Sequence, residues 1–188
     1  MMSALAAMCL FALRREVRSF ASAPLSSVEN RILAAQPGRT LTFAVGDDVR
    51  VFDVSREGVA GVGIALRAFP GELRGHLGSE SIELRLATPR ITGLLGDHAV
   101  SLDMLPASEG TRVAGHFGQR KVALSIRMAG IDGDVGPCHY QLKLNRGSYT
   151  GQIGCGGEPE DVRLEVPVGF VAKSDAEVTA TLIAVLAR

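Results

Sequence analysis

Residues 113–126 read VAGHFGQRKVALSI, one copy of a pattern that occurs five times in the chain. In each copy an apolar residue, a glycine and a second apolar residue alternate with polar positions, and another glycine follows. A short polar segment then leads to an alternating trio of apolar, leucine and apolar residues. The copies begin at Leu73, Ile91, Val113, Ile131 and Tyr149. Their first glycines are spaced by 18, 22, 18 and 18 residues, which identifies an internal repeat.

Each copy predicts a β-hairpin. Apolar and polar residues alternate with a period of two in both halves, so the apolar residues share one face of the sheet. The second glycine, such as Gly118, opens the turn, where a positive φ is easiest for glycine. The first glycine, such as Gly115, lies on the apolar face. It leaves room opposite the central leucine of the second strand and lets the sheet bend.

Short connections between the hairpins predict an antiparallel up-and-down β-meander. Residues 38–72 extend it through a degenerate copy at 40–51 and a weakly alternating stretch at 59–69. Hairpin signals therefore indicate about 10 to 12 strands. The longest interval between copies predicts a longer loop at 105–111. Because such a sheet has one apolar face, it must close as a barrel or curl around a helix.

Both ends of the chain predict helices. Residues 26–29 (SSVE) match a capping box that opens a short helix through Ala35, before Pro37. Residues 174–177 (SDAE) match a second capping box, and the run that follows to Arg188 is apolar nearly all round. Such a helix belongs in a core, where it would plug the curled sheet. Since β-branched residues are frequent in this run, a strand is the alternative.

These signals divide the chain into three parts: an N-terminal helical segment at 1–37, a repeat domain at 38–173, and a C-terminal helix at 174–188 that belongs to the repeat domain. Residues 1–13 are apolar and three arginines follow them. Thirteen residues are too few to span a bilayer. A secretory signal has its positive charge before the apolar stretch, not after it. A packed or amphipathic helix and a targeting or anchor segment with membrane association both stay open.

The composition excludes several classes of protein. The 188 residues suffice for one well-cored domain, and 46% of them are hydrophobic. Twenty basic residues balance twenty acidic ones. A net charge of zero argues against nucleic-acid binding by bulk charge and against a polybasic membrane-surface protein. Transmembrane barrels also alternate, but the alternating stretches here are short and tryptophan is absent.

The histidines are placed too far apart to share a metal ion. His76 and His116 occupy the same repeat position two hairpins apart, which separates them by about 19 Å in a sheet. Zinc ligands lie about 2 Å from the metal. His98 and His139 are predicted in hairpin turns, also two hairpins apart. We therefore interpret all four as solvent-exposed surface residues.

Other residues with chemical potential have no matching partners in the sequence. Asp132 and Asp134 flank Gly133 on the outer face, without further oxygen ligands at the spacing of a calcium loop. Residues 154–157 (GCGG) lack the Lys and Ser/Thr of a phosphate-binding loop. We predict no catalytic, cofactor-binding or metal-binding residues, and therefore no enzyme.

Cys138 and Cys155 pose a question of geometry. Both are predicted in hairpin turns of consecutive copies, at the same edge of the sheet. Equivalent points two strands apart are separated by about 9.6 Å, whereas bridged Cα atoms lie within about 7 Å. The fifth turn is longer than the others and has slack to lean over. A disulfide and two free thiols both remain open, and a disulfide would favour an exported protein.

The pattern leaves two functions. Regular repeats with varied polar residues outside favour a non-enzymatic scaffold or interaction protein that meets a protein partner through its outer face or turns. A cell-envelope or other exported location is favoured for it, with the cytoplasm as the alternative. The second function is a small barrel that carries an apolar ligand. A helix in the lumen would favour the scaffold, and an open apolar lumen would favour the carrier.

Overall fold

The repeats form a closed antiparallel barrel. The computed structural model describes residues 39–171 and 173–187, and this part of the chain contains fourteen strands and two helices. The strands are β1 Thr40–Val45, β2 Asp48–Val54, β3 Gly58–Gly61, β4 Ile64–Phe69, β5 Glu72–Leu77, β6 Glu80–Leu86, β7 Arg90–Leu95, β8 His98–Ala107, β9 Gly110–Phe117, β10 Arg120–Arg127, β11 Gly130–Val135, β12 Cys138–Asn145, β13 Ser148–Gly154 and β14 Glu160–Glu165. The helices are α1 Val168–Val171 and α2 Asp175–Leu186. Each strand pairs with the next, and β1 closes the ring on β14.

The predicted meander and its C-terminal helix are confirmed, and of the two alternatives left by the sequence, a curled sheet and a closed barrel, the structure shows the closed barrel. The strand number exceeds the expected 10 to 12 because the weakly alternating stretch at 59–69 supplies a complete hairpin, in which Val59 lies opposite Leu66. The barrel and both helices belong to one unit of the chain, Ala34–Arg188. The helix predicted at 26–35 and the apolar segment at 1–13 lie outside the described residues.

The prediction of a longer loop at 105–111 is wrong. The four extra residues instead lengthen β8 and β9, which meet at a two-residue turn. The N–H of Met104 points toward β7 and donates to the carbonyl of Pro89 at 2.6 Å. Two residues later the nitrogen of Pro106 points the same way, past Arg90, where β7 begins. A proline fits there because its missing N–H faces no ladder partner.

The two ends of the barrel carry different turns. At the glycine-turn end lie the turns inside the repeats, where Gly78, Gly96, Gly118 and Gly136 have φ of 64°, 56°, 61° and 60°. This confirms that the second glycine of these copies opens the turn with a positive φ. The connection end carries the turns that join one hairpin to the next, including 128–129 and 146–147.

The first glycine of each copy lies where two strands pass closely. It pairs with the central leucine of the preceding hairpin, in the pairs Gly75–Leu66, Gly93–Leu84, Gly115–Leu102, Gly133–Leu124 and Gly151–Leu142. A Cβ added at Gly115 would lie 2.0 Å from the carbonyl oxygen of Ser101 on the neighbouring strand. The sequence predicted that the glycine makes room opposite the central leucine of the second strand of its copy, and this register is wrong, because within its hairpin Gly115 lies opposite Val122. The tighter constraint is the approach of the neighbouring backbone.

The C-terminal run is a helix and not a strand. Ser174 is extended, with φ −63° and ψ 150°, and its hydroxyl oxygen accepts a hydrogen bond from the N–H of Glu177 at 3.3 Å. The predicted capping box therefore marks the start of α2. Lys173 also forms an ion pair with Glu177 across this first turn. Neither helix of the described residues is long and apolar enough to cross a membrane.

Helix α2 occupies the lumen of the barrel. Its residues 180–186 are consecutive and each is at most 3% exposed. Seven residues make about two turns, so every side of the helix faces packed side chains. The Lys173 ammonium donates to the carbonyl of Arg56 at the connection end, and the carbonyl of Leu186 accepts from Tyr140 near the glycine-turn end. The helix therefore runs through the barrel from one end to the other.

Cys138 and Cys155 form a disulfide with a Cα separation of 4.0 Å. The predicted separation of two strands is wrong, because Cys138 begins β12 and Cys155 directly follows β13, its immediate neighbour. His139 lies opposite Gly154, which makes the two cysteines the next opposed pair in the register. The bond needs no leaning turn, since opposed residues of adjacent strands are already close.

Tyr140 links the barrel wall to α2 and makes the free energy of unfolding decrease at alkaline pH. Its hydroxyl donates to the carbonyl of Leu186 at 2.7 Å, and burial raises the pKa of Tyr140 from 10.0 to about 12. Between pH 10 and 12 the unfolded chain loses the phenolic proton while the folded chain keeps it. The free energy of unfolding therefore falls as the pH rises, by up to about 3 kcal/mol from this group.

A Tyr140→Phe variant is expected to lack this contribution. Urea unfolding of both proteins from pH 8 to 11.5 measures it. At pH 8 the variant should be less stable by about 1 kcal/mol, because the Leu186 carbonyl loses its donor. The difference should shrink or reverse as the pH rises. Two stability curves that stay parallel over the whole range would contradict the expected linkage.

Candidate functional site

A groove of about 530 Å³ crosses the outer wall over β2–β5. Its floor follows one cross-strand row, in which Asp53 lies opposite Ala60, Ala60 opposite Ala65, and Ala65 opposite His76. The two alanines keep the floor low because their side chains are short. Three strand spacings, about 14 Å, separate the two polar ends of the row. This outer-wall groove therefore has a short apolar floor between a carboxylate and an imidazole.

Two arginines line the groove in the next row. Arg67 and Arg74 lie directly opposite each other, an arrangement that destabilises a sheet when nothing compensates it. The guanidinium of Arg74 lies 2.5 Å from a carboxylate oxygen of Glu72 and 5.8 Å from the ring centroid of Phe69. Arg67 forms no ion pair with another described residue, and its other neighbour in the row is Gly58. Among the described residues, the groove thus contains a cation that has no carboxylate partner.

The opposite side of the groove is acidic. Asp53 ends the floor row, and Glu57 lies in the turn that leads to β3. The N–H of Glu57 donates to the hydroxyl of Ser55 at 3.1 Å, and hydrogen bonding to that side chain lowers the pKa of Glu57. The groove therefore presents negative charge over β2 and β3 and positive charge over β4 and β5.

The four histidines do not come together in the structure. His76 and His116 lie on β5 and β9, as the repeat predicted. The placement of the other two in turns is wrong, because His98 begins β8 and His139 is the second residue of β12. Each of these strands begins earlier than the alternating apolar residues indicated.

His139 is held between two side chains. Its Nδ1 lies 2.7 Å from a carboxylate oxygen of Asp134, and its Nε2 lies 3.2 Å from the amide nitrogen of Gln141. These partners assign the proton to Nδ1, with Nε2 accepting from the amide. A catalytic histidine of this kind uses the second nitrogen to take a proton from a nucleophile. Here the Gln141 amide faces that nitrogen.

The remaining sequence candidates are separate from one another. Asp132 lies on the outer face of β11, opposite Gln141. Residues 154–157 end β13 and continue into a bend. Within 39–171 and 173–187, no group of three or more His, Cys, Asp or Glu side chains is arranged to hold a metal ion.

Sequence reasoning missed the groove because its residues belong to four strands. Asp53 and His76 are 23 positions apart and reach the two ends of one floor row only through the register of three strand pairs. One signal was present in the sequence. Ala60 and Ala65 occupy opposed outward positions on either side of a two-residue turn, where each of the other hairpins carries at least one larger side chain.

Comparison with models of protein families, with curated proteins and with solved structures finds no significant match to this chain.

Proposed function

We propose that this barrel is a non-enzymatic interaction scaffold that holds a segment of a protein partner in the outer-wall groove. The observation that carries the proposal is the helix in the lumen. A carrier barrel needs an open interior for its ligand. Here the inward side chains of the wall and the side chains of α2 form one core cluster. The outer surface is the part that remains for binding.

The closed ring restricts how a partner can bind. A partner strand adds to a sheet by pairing with a free edge, and closure of β1 on β14 removes the edges. A partner must therefore dock on the face of the wall through side chains. The outer-wall groove suits an extended segment with small apolar residues over Ala60 and Ala65. An acidic side chain of that segment would pair with Arg67, and a basic one would lie near Asp53.

Two further observations support the proposal. The arrangement of His139 between Asp134 and Gln141 is that of a surface hydrogen-bond cluster, which favours a non-enzymatic role. The Cys138–Cys155 disulfide supports an exported or envelope location, because disulfides persist in oxidising compartments.

Site-specific photocrosslinking tests the proposed function. A photoreactive phenylalanine analogue replaces Ala65 in the groove floor, and irradiation is carried out in the cells that produce the protein. We expect a discrete adduct with one protein. The same replacement at Ala123, an exposed alanine on the outer face of β10, is the matched control and should give no such adduct. Arg67→Glu should also abolish the adduct at Ala65.

Two outcomes would contradict the scaffold. One is equal crosslinking at Ala65 and Ala123, or none at either position, which would show that the groove holds no partner. The other is saturable one-to-one binding of a fluorescent fatty acid by the full chain. That result would favour the carrier, because it requires a ligand to enter the lumen that α2 occupies.

A further inference from the structure

Four exposed cations cluster on neighbouring hairpins at the connection end, away from the groove. They are Arg112 on β9, Arg127 on β10, Lys143 on β12, and Arg146 in the turn that follows β12. Arg127 and Lys143 lie in one outward row on either side of Gly130, about 9.6 Å apart. None of the four forms an ion pair with another described residue. By contrast, Arg50, Arg74, Arg90 and Arg163 each have a carboxylate partner.

Large apolar side chains are exposed among these cations. Met128, in the turn between β10 and β11, is 81% exposed. Leu105, near the tip of the β8–β9 hairpin, is 56% exposed, and Leu144, next to the turn at 146–147, is 43% exposed. We call the four cations and these three residues the basic–apolar patch. It consists of the tips of three consecutive hairpins, so it is an end surface and not a groove.

The backbone of the patch is held in place at a cost. Arg146 has φ 51°, and within 39–171 and 173–187 it is the non-glycine residue with a positive φ. A side chain in that conformation costs about 1–2 kcal/mol, and Asn or Gly would fit the turn better. Packing of the Arg146 side chain does not offset this conformational energy, because the side chain is exposed. Strain of this kind is typical of functional positions.

Hydrogen bonds join two of the three turns of the patch, 128–129 and 146–147. The N–H of Leu144 donates to the carbonyl of Ala129 at 2.9 Å. The hydroxyl of Tyr149 donates to the carbonyls of Arg127 and Met128 at 3.5 and 3.3 Å. These hydrogen bonds therefore hold the turns that carry Met128 and Arg146 next to each other without any partner.

We infer that the basic–apolar patch binds an anionic lipid bilayer surface. Clusters of four or more Lys and Arg residues attract acidic headgroups, and exposed apolar side chains enter the boundary with the acyl chains. The three hairpin tips form an end surface that a bilayer can contact. Two carboxylates close to the patch, Glu109 at the β8–β9 tip and Asp132 on β11, form no ion pair with a described residue, whereas Asp103, two residues before Leu105, is paired with Arg90. The four cations therefore outnumber the two unpaired carboxylates. The zero net charge of the whole chain hides this asymmetry.

Vesicle cosedimentation of the full chain tests this inference. The probes are vesicles of phosphatidylcholine alone and of phosphatidylcholine mixed with phosphatidylglycerol. We expect binding to the mixed vesicles, little binding to the neutral ones, and release at high salt. The double variant Arg127→Glu/Lys143→Glu should bind the mixed vesicles at least about tenfold more weakly, since each cation near the surface contributes to attraction. Met128→Asp should also weaken binding.

The matched control is Arg85→Glu/Lys121→Glu, which changes the net charge equally at exposed cations outside the patch. It should bind almost as well as the unmodified chain, and circular dichroism should show that both double variants are folded. Equal loss of binding in both would mean that net charge alone is responsible. Unchanged binding of the patch variant would assign the membrane site to other residues. Patch-dependent binding to polyglutamate without vesicle binding would indicate an acidic protein partner. Each of these results would overturn the inference.

Discussion

Gly115→Val is expected to prevent the barrel from folding, or to lower its free energy of unfolding by more than about 4 kcal/mol. A Cβ at this position would lie 2.0 Å from the carbonyl oxygen of Ser101 and 3.1 Å from the Cα of Leu102. These are backbone atoms of a neighbouring strand, so they cannot move aside without breaking the pairing of β8 with β9. The φ of 143° adds strain for any L side chain. Val should lower the free energy of unfolding more than Ala, because its two methyl groups add further bulk to the Cβ that already clashes.

Substitutions at two other glycines distinguish the cost of a steric contact from the cost of backbone strain. Gly78 has φ 64° but nothing lies within 4 Å of an added Cβ, so Gly78→Ala should cost only about 1–2 kcal/mol. Gly154 has neither a positive φ nor a neighbour within 4 Å, so Gly154→Ala should change stability by less than about 0.5 kcal/mol. Urea unfolding followed by circular dichroism measures all three. If Gly93, Gly115 and Gly133 each tolerate Val, the close passage of the strands is wrong.

Ile183→Asp is expected to have a comparable effect from inside the barrel. Ile183 is fully buried near the middle of the stretch of α2 that the wall surrounds. A carboxylate there would lose its hydration without gaining a partner, which costs several kcal/mol. The substitution should lower the free energy of unfolding by more than about 4 kcal/mol, or leave the protein unfolded at 25 °C.

Ile183→Val is the matched control at the same position. It removes one methylene from the lumen and should cost about 0.5–1.5 kcal/mol. A folded Ile183→Asp protein with nearly unchanged stability would show that α2 is not enclosed by the wall. Thermal unfolding of the two variants beside the unmodified chain distinguishes these outcomes.

Features within one hairpin were predictable because their causes are local. The alternation around Gly115 decides which side chains face inward, and the turn at Gly118 needs a positive φ that glycine supplies. The hydroxyl of Ser174 caps α2 through a residue three positions away. The prediction of a loop at 105–111 was wrong because a non-local contact was needed to interpret a local signal. Pro106 signals a loop in isolation, and only the position of the β7 end shows that a strand tolerates it.

Features that combine several hairpins could not be predicted in the same way, because they depend on the strand register, which long-range pairing decides. The repeat pattern aligns turn with turn and so predicts Cys138 and Cys155 two strands apart, whereas the strands that carry them are neighbours. The groove combines four strands, and the basic–apolar patch combines three hairpin tips. A repeat pattern does not determine how many hairpins make up the closed barrel. That number depends on whether the weakest copy, 59–69, still pairs on both sides.

The sequence by itself determined that this protein is an antiparallel β-meander with one apolar face and glycine turns, and it favoured a buried C-terminal helix over a strand. These properties follow from a period of two, turn chemistry and capping, which act over a few residues. The tertiary structure alone decided the closure of β1 on β14, the passage of α2 through the lumen, and the surfaces left outside. Closure joins residues more than a hundred positions apart, and only the packing of the complete wall around the helix selects it.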